Sequence, residues 1–447
     1  MRYIPHTEQD IQQMLEAIGV SSIRELFQDI PDDLYIQGEL PVPPALDEHA
    51  LFRRLSQLAS LNADATRWVS FLGAGAYDHF IPAVVGAIIS RGEFLSAYTP
   101  YQPEASQGLL QSIFEFQTMV CELTGMEVAN ASMYDASTAL AESALMACQI
   151  TGRSKVVVSQ AVHPHYRQVL RTYLWTNSRQ LVEVPARAGL TDLDALTAAL
   201  DDETACAMVQ YPNFFGAIES LQPVSDAAHR VGALAIACVD PIALGVLKPP
   251  GEYDFDIVVG EGQGLGNAMG FGGPMLGLFA CKQAHLRRIP GRIVGQTTDA
   301  EGRRGFVMTL RTREQDIRRE KATSNICTNE ALCALASTVF LASLGKSGFR
   351  ELAETCTQKA HYAAQQLTRI DGVRLKYPDA PFFKEFVLTL PRPADEVCDA
   401  LLQHHIIAGL PLGDYDASMR HDLLVCVTET RTREEIDAFA DALRQVL

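Results

Sequence analysis

The chain has 447 residues, 47% of them hydrophobic and 20% charged, a composition that excludes wholesale disorder and a length that predicts two or three domains. Its formal net charge of −17 excludes nucleic-acid and anionic-membrane partners, which such a field would repel. Met1 to Ile11 lacks the apolar core of a signal peptide, and the longest apolar run, about Phe80 to Ile89, is too short to span a bilayer, so a cytoplasmic protein is expected.

Residues 1–66 carry helical periodicity and little strand signal. Thr7 precedes a polar first turn, after which Ile11, Met14, Leu15 and Ile18 recur at helical spacing. Pro41 to Pro44 breaks the pattern, and a second helix is predicted from about Glu48 to Leu61. The segment reads as a helical arm, suited to pack on another element or another chain.

Residues 67–323 alternate strands with helices. Strands are predicted at Val156–Val158, Leu181–Val184, Ala207–Val209 and Ala233–Val239, separated by helices over Tyr166–Leu174, Leu193–Leu200 and Val224–Val231. Two more strands are expected at Ile257–Val259 and Met275–Ala280. This alternation implies right-handed crossovers and a mostly parallel sheet covered on both faces, an α/β domain. Residues 324–447 read as a small α+β domain. Helices are predicted over Glu330–Leu344 and Arg350–Leu367, then strands at Val373–Tyr377 and Glu385–Leu390, a helix at Ala394–His404 and a strand at Leu423–Val427. Thr432 and Glu435 form a capping box for a last helix.

The loop Gly260-Glu261-Gly262-Gln263-Gly264-Leu265-Gly266 follows a predicted strand, yet no frame of it gives Gly-x-Gly-x-x-Gly, and no Gly-Lys-Ser/Thr ending is present, so it reads as a loop where backbones approach closely. His163-Pro164-His165 lacks the further ligands that a metal needs, and none of the ten cysteines forms a Cys-x-x-Cys pair, so no metal site is expected. His163 lies at the carboxyl end of a predicted parallel strand, the edge where open α/β sheets bind ligands. Its imidazole there either stacks on an aromatic cofactor or is an ordinary loop side chain. Asp240 ends the strand Ala233–Val239. A carboxylate at that point suits the protonated ring nitrogen of pyridoxal phosphate; equally, it caps the next turn.

Several longer segments resemble a known family. Phe71-Leu72-Gly73-Ala74-Gly75, Tyr98-Thr99-Pro100-Tyr101-Gln102-Pro103-Glu104, Tyr134-Asp135-Ala136-Ser137-Thr138 and Val162-His163-Pro164 are similar to segments of the glycine decarboxylase (P-protein) of the glycine cleavage system. So are Gln210-Tyr211-Pro212-Asn213, Gly272-Gly273-Pro274 and Glu320-Lys321-Ala322-Thr323-Ser324-Asn325-Ile326-Cys327. The resemblance runs from the first helix to the last and implies a fold-type-I pyridoxal-phosphate architecture. The length resembles that of the first of the two chains into which some bacteria split this protein.

One departure bears on the role. Enzymes of this type hold the cofactor through a lysine on the segment beyond the strand-end Asp. Here the matching stretch, Glu261-Gly262-Gln263-Gly264, has no amine, and Lys248 and Lys282 fall outside it. The resemblance therefore implies a chain with no catalytic lysine of its own, inactive alone and without covalent pyridoxal phosphate. Its implied partner is a lysine-bearing second subunit that holds the cofactor, in a dimer of heterodimers. The assembly is expected to decarboxylate glycine and to pass the aminomethyl group to the lipoyl arm of the H-protein. Tyr98, Thr99, Tyr101 and Gln102 are expected to reach the partner's active site. His163 and Asp240 are expected to be relics of a cofactor site, with Asp240 dispensable. Two rival readings stay open: an independent pyridoxal enzyme using another lysine, and a pure scaffold.

Overall fold

The computed structural model describes residues 5–36, 38, 40–95 and 98–447, so the first four positions of the polar N-terminal stretch lie outside the described residues. Two compact units divide the chain, Met1–Ala63 and Asp64–Leu447.

In the first unit a helix spans Glu8–Ile18. Thr7 caps it: its hydroxyl accepts the Asp10 N–H at 3.2 Å, and the Asp10 carboxylate accepts the Thr7 N–H at 2.7 Å, so two donors that the first turn cannot bond internally are satisfied together. A second helix, Glu48–Ala59, starts on Asp47 and stops two residues short of the predicted Leu61. Ile18, Leu34, Phe52, Leu55 and Leu61 are exposed. The helical periodicity is therefore real, and its apolar side is not spent inside the unit.

The second unit is built on a seven-stranded sheet. In spatial order its strands are Val128–Ala129, Gly277–Cys281, Ile257–Glu261, Leu234–Val239, Thr204–Tyr211, Lys155–Ser159 and Gln180–Val184. The five from Ile257–Glu261 to Gln180–Val184 run parallel, and Gly277–Cys281 is antiparallel to both of its neighbours. Successive side chains feed opposite faces. Ala235, Ala237 and Val239 join one apolar cluster with Phe116, Val120 and Val224, whereas Ile236 and Cys238 join another with Leu140, Leu170 and Leu174. A sheet buried on both sides needs such near-continuous apolar strands.

Two long helices, Gln107–Thr124 and Ala136–Thr151, and the hairpin Ile293–Thr298/Arg304–Thr309 belong to this unit without having been marked in the sequence. The helices predicted over Glu330–Leu344 and Arg350–Leu367 form one run, Ala331–Leu367, interrupted at Gly345 with φ 61° and ψ −177°. By length and composition this run could cross a membrane. Its Ala334, Phe340 and Phe349, however, pack in the core against the large sheet, and its Ala360, Ala363 and Leu367 pack in a second core.

That second core belongs to a four-stranded antiparallel sheet, ordered Arg374–Leu375, Glu385–Thr389, Asp422–Cys426 and Leu410–Pro411. The helices Ala394–Leu401 and Arg433–Val446 join it. The helix expected to reach His404 ends at Leu401 and continues as a 3-10 turn over Leu402–His404. The Thr432/Glu435 capping box is present.

Candidate functional site

At the carboxyl edge of the parallel strands, His163, Asp240 and Gln263 follow strand ends at Ser159, Val239 and Glu261. Two other stretches come in beside them: Ala74 to His79, and Lys384-Glu385 at the start of a strand in the smaller sheet.

Lys384 lies at the centre of this cleft. Its ammonium donates to Asp240 Oδ2 at 2.8 Å and to His79 Nε2 at 3.0 Å, and sits 3.4 Å from the centroid of the Tyr77 ring. Only 1% of the residue is exposed. Burial opposes its charge, but Asp240 and weaker contributions from Cys426 and Cys356 outweigh that, and the pKa is raised. An ammonium only donates, so His79 Nε2 accepts and Nδ1 carries the proton toward Glu429 Oε2, 2.6 Å away. Asp240 Oδ1 meanwhile accepts the Ile242 N–H at 3.1 Å, so the capping reading of this residue holds as well.

Glu385 closes one side. It accepts from the Ala74 N–H at 2.7 Å and the Tyr77 hydroxyl at 2.8 Å, and burial pushes its pKa up to about 7. The backbone of Gly216 runs so close that an added Cβ would lie 2.0 Å from the Glu385 carbonyl oxygen. Gln263 is locked: its Oε1 accepts the Tyr77 N–H at 2.8 Å, and its Nε2 donates to the Asn267 carbonyl at 2.6 Å. Glu261 faces the start of the helix Ala136–Thr151, accepting the Ala136 N–H at 3.0 Å, the Leu276 N–H at 2.8 Å and the Gln263 N–H at 3.0 Å. Burial pushes its pKa up to about 8 against the pull of these donors. The space left among Tyr77, Pro212, Asp240, Lys384 and Glu385 is a cavity of about 10 Å³.

His163 is also committed. Its Nε2 donates to the Ala74 carbonyl at 2.9 Å, and its Nδ1 accepts the His165 N–H at 3.1 Å. The ring stacks on Tyr166, centroids 4.5 Å apart, and meets Phe214 edge-on at 4.9 Å. Burial holds its pKa down to about 4, so the imidazole is neutral.

Tyr98, Thr99, Tyr101 and Gln102 share no hydrogen bond with the cleft among the described residues. Tyr98 is 80% exposed and Tyr101 46%. Their anchor is the buried Arg292, whose guanidinium donates to Thr99 Oγ1 and the Tyr101 hydroxyl, both at 3.2 Å, and to Thr328 Oγ1 and the Cys327 carbonyl, both at 2.6 Å. Arg311 covers the Tyr101 ring at 4.6 Å. Gln102 precedes the 3-10 turn Pro103–Ala105 with its side chain exposed.

The family model described as "Glycine cleavage system P-protein" matches residues 1–443. The chain belongs to the glycine cleavage system P-protein family. It is 55% identical over 444 residues to a protein of Geobacillus kaustophilus named "Probable glycine dehydrogenase (decarboxylating) subunit 1", covering 99% of this chain and 98% of that one. A relative of the same name from Desulforamulus reducens is 52% identical over 99% of each chain. Among solved structures, a glycine decarboxylase (P-protein) of the glycine cleavage system in inhibitor-bound form superposes with a TM-score of 0.91 and 46% identity, covering all of both chains. A sphingosine-1-phosphate lyase of Burkholderia pseudomallei, TM-score 0.65 and 16% identity over 93% of each chain, shares the fold alone. The architecture is that of fold-type-I pyridoxal-phosphate enzymes.

Around Lys384 this P-protein chain does not fit pyridoxal phosphate: the cavity there, about 10 Å³, is near the lower limit for one water and far below the few hundred Å³ of a small-molecule site, and the Lys384 ammonium occupies the Asp240 carboxylate. Tyr166 covers one face of the His163 ring, and Asp240 is the anion of a buried ion pair. The segment beyond Asp240 carries no amine; the amine that meets Asp240, Lys384, arrives from the smaller sheet. A charged pair inside Phe382-Phe383-Lys384-Glu385-Phe386 was the available signal, since a charge in an apolar strand needs a partner. Arg292 was missed as well, and one arginine in a loop gives no such signal.

His79, Cys356 and Glu429 bring one ligand atom each within 4.8 Å, but the Lys384 ammonium on the other nitrogen of His79 opposes a dication there.

Proposed function

We propose that this chain is the lysine-less half of a two-chain glycine decarboxylase, with no cofactor bound covalently to it. It pairs with a lysine-bearing subunit as a dimer of heterodimers. That partner holds pyridoxal phosphate covalently, and the assembly acts on glycine and on the lipoyl arm of an H-protein in the cytoplasm. Bound pyridoxal phosphate supplies an electron sink for decarboxylation. Everything this chain adds is positional. The arm (1–66), the large domain (67–323) and the C-terminal domain (324–447) make one half of the shell. Tyr98, Thr99, Tyr101 and Gln102 border the partner's pocket, with hydroxyls and flat faces suited to a phosphate or a small amino acid.

The observation that carries the reading is Gln263. The resemblance matches it to the segment that carries the lysine in the other half; here its amide is bonded at both ends, in a family whose relatives named "subunit 1" imply a second chain. The exposed, Arg292-anchored Tyr98–Gln102 segment supports an outward rather than an inward role.

The test is glycine–bicarbonate exchange by this chain with and without the second subunit, together with borohydride reduction in the presence of pyridoxal phosphate and peptide mapping. Exchange is expected only from the pair, and no phosphopyridoxyl-lysine in this chain. Stoichiometric labelling of one of its lysines, Lys384 included, would sink the proposal.

A further inference from the structure

A fold-type-I cofactor presents two charged ends to its protein: a protonated ring nitrogen, met by a strand-end carboxylate, and a phosphate, which backbone donors at a helix N-terminus are suited to hold. In this chain a strand-end carboxylate and a helix N-terminus both lie at the edge of the parallel strands, and neither is free. Asp240 ends the strand Leu234–Val239 and is matched by Lys384 at 2.8 Å. The first N–H of the 16-residue helix Ala136–Thr151 is matched by Glu261 at 3.0 Å. The two substituting side chains come from different elements, one from the strand Glu385–Thr389 of the smaller sheet and its flank, the other from the end of the large-sheet strand Ile257–Glu261.

We propose that the cleft carries built-in substitutes for the two ends of a cofactor, with Lys384 in place of the ring cation and Glu261 in place of the phosphate oxygens. A cleft that had merely lost its lysine would keep an uncompensated carboxylate and idle donors, and buried groups in that state are costly. Here the cation, the oxygens and the Tyr77 ring over Lys384 fill the space. The chain is thereby complete without any ligand, and its smaller sheet is tied to the large one at the place where a cofactor would lie between them. The inference rests on the fold assignment and not on the pairing with a second subunit.

Small-ion rescue on the full-length chain tests it. Lys384→Ala is expected to lower the thermal midpoint by roughly 5 °C or more. Methylammonium should restore about half of that loss or more by occupying the vacated cation position, relative to sodium chloride at equal ionic strength. Glu261→Ala should likewise be stabilised by inorganic phosphate relative to chloride at equal ionic strength. The wild-type chain should respond to neither ion and should retain no pyridoxal phosphate after dialysis. If Lys384→Ala does not fold, the pair Asp240→Asn and Lys384→Met takes its place: the double variant should be more stable than Lys384→Met alone. Absence of both rescues, additive losses in the double variant, or stoichiometric non-covalent pyridoxal phosphate on the wild-type chain would each overturn the substitution. Non-covalent retention leaves the proposed function standing, whereas a covalent lysine adduct overturns that instead.

Discussion

Tyr98 and Tyr101 sit three residues apart, yet the chain treats them differently. Tyr101 receives a hydrogen bond from Arg292 at 3.2 Å and lies under Arg311, whereas Tyr98 has no partner among the described residues. Tyr101→Phe should therefore lower the stability of the isolated chain by about 0.5–1.5 kcal/mol, the usual net worth of one such bond, and Tyr98→Phe should leave it unchanged. In complex with the second subunit, Tyr98→Phe is expected to slow glycine decarboxylation about tenfold, with assembly intact. Normal turnover of that variant would make the segment structural. Ionisation is a second handle at this scale. Burial raises the Glu142 carboxyl to about 7, above an unfolded value of about 4.3. The folded chain then binds that proton more tightly, so this contribution is full below the unfolded pKa and is lost as pH rises through about 7. Urea unfolding should show wild-type stability falling between those two values and Glu142→Gln falling less. His163 runs the other way: held down to about 4, it contributes stability above its unfolded value of about 6.5 that is lost as pH falls toward 4.

Among the elements, the helix Ala331–Leu367 joins two cores, and its single interruption is Gly345 at φ 61° and ψ −177°. That conformation is essentially closed to a residue with a Cβ, at a cost of about 1–3 kcal/mol, even though no atom lies within 4 Å of where the Cβ would go. Gly345→Ala should lower the thermal midpoint by roughly 2–8 °C through backbone strain alone, and an unchanged midpoint would contradict the kink. The same helix shows what the sequence could and could not disclose. Its two halves were legible by periodicity, as were the five parallel strands, whose apolar runs need no partner to be recognised. Ala136–Thr151 was not, because burial on nearly every side leaves it without an amphipathic stripe. The hairpin Ile293–Thr298/Arg304–Thr309 went unread because Thr297, Thr298 and Arg304 blur its alternation. In the cleft, Asp240 could be placed by its strand end, and the missing lysine at Gln263 by the family resemblance. Lys384 could not, because only the packing of one sheet against another brings it to Asp240.

For the whole molecule, the apolar side of the first unit is the feature to which the proposed pairing gives a role. Phe52 is 74% exposed and Leu61 81%; each is the kind of side chain whose burial contributes about 1.5–3 kcal/mol. Under the proposed pairing, Phe52→Asp is expected to weaken recovery of the second subunit on co-purification by about tenfold or more, with the thermal midpoint of the isolated chain unmoved. Equal recovery with the variant would mean that this face has no role in assembly.

The ion pair at the centre of the cleft also sets an order of events during synthesis. The last strand of the large sheet ends at Cys281, so a ribosome finishes every strand of that sheet well before it reaches Lys384. Until then the Asp240 carboxylate has no counter-ion, and the edge of the sheet that carries it cannot be shut off from water without leaving that charge unmatched. A nascent chain stopped between Cys281 and Phe383 therefore has all the strands of that sheet and no Lys384 ammonium for Asp240. Closure waits for the C-terminal segment, so this subunit becomes fit for release to a partner when translation ends rather than when its principal sheet is made.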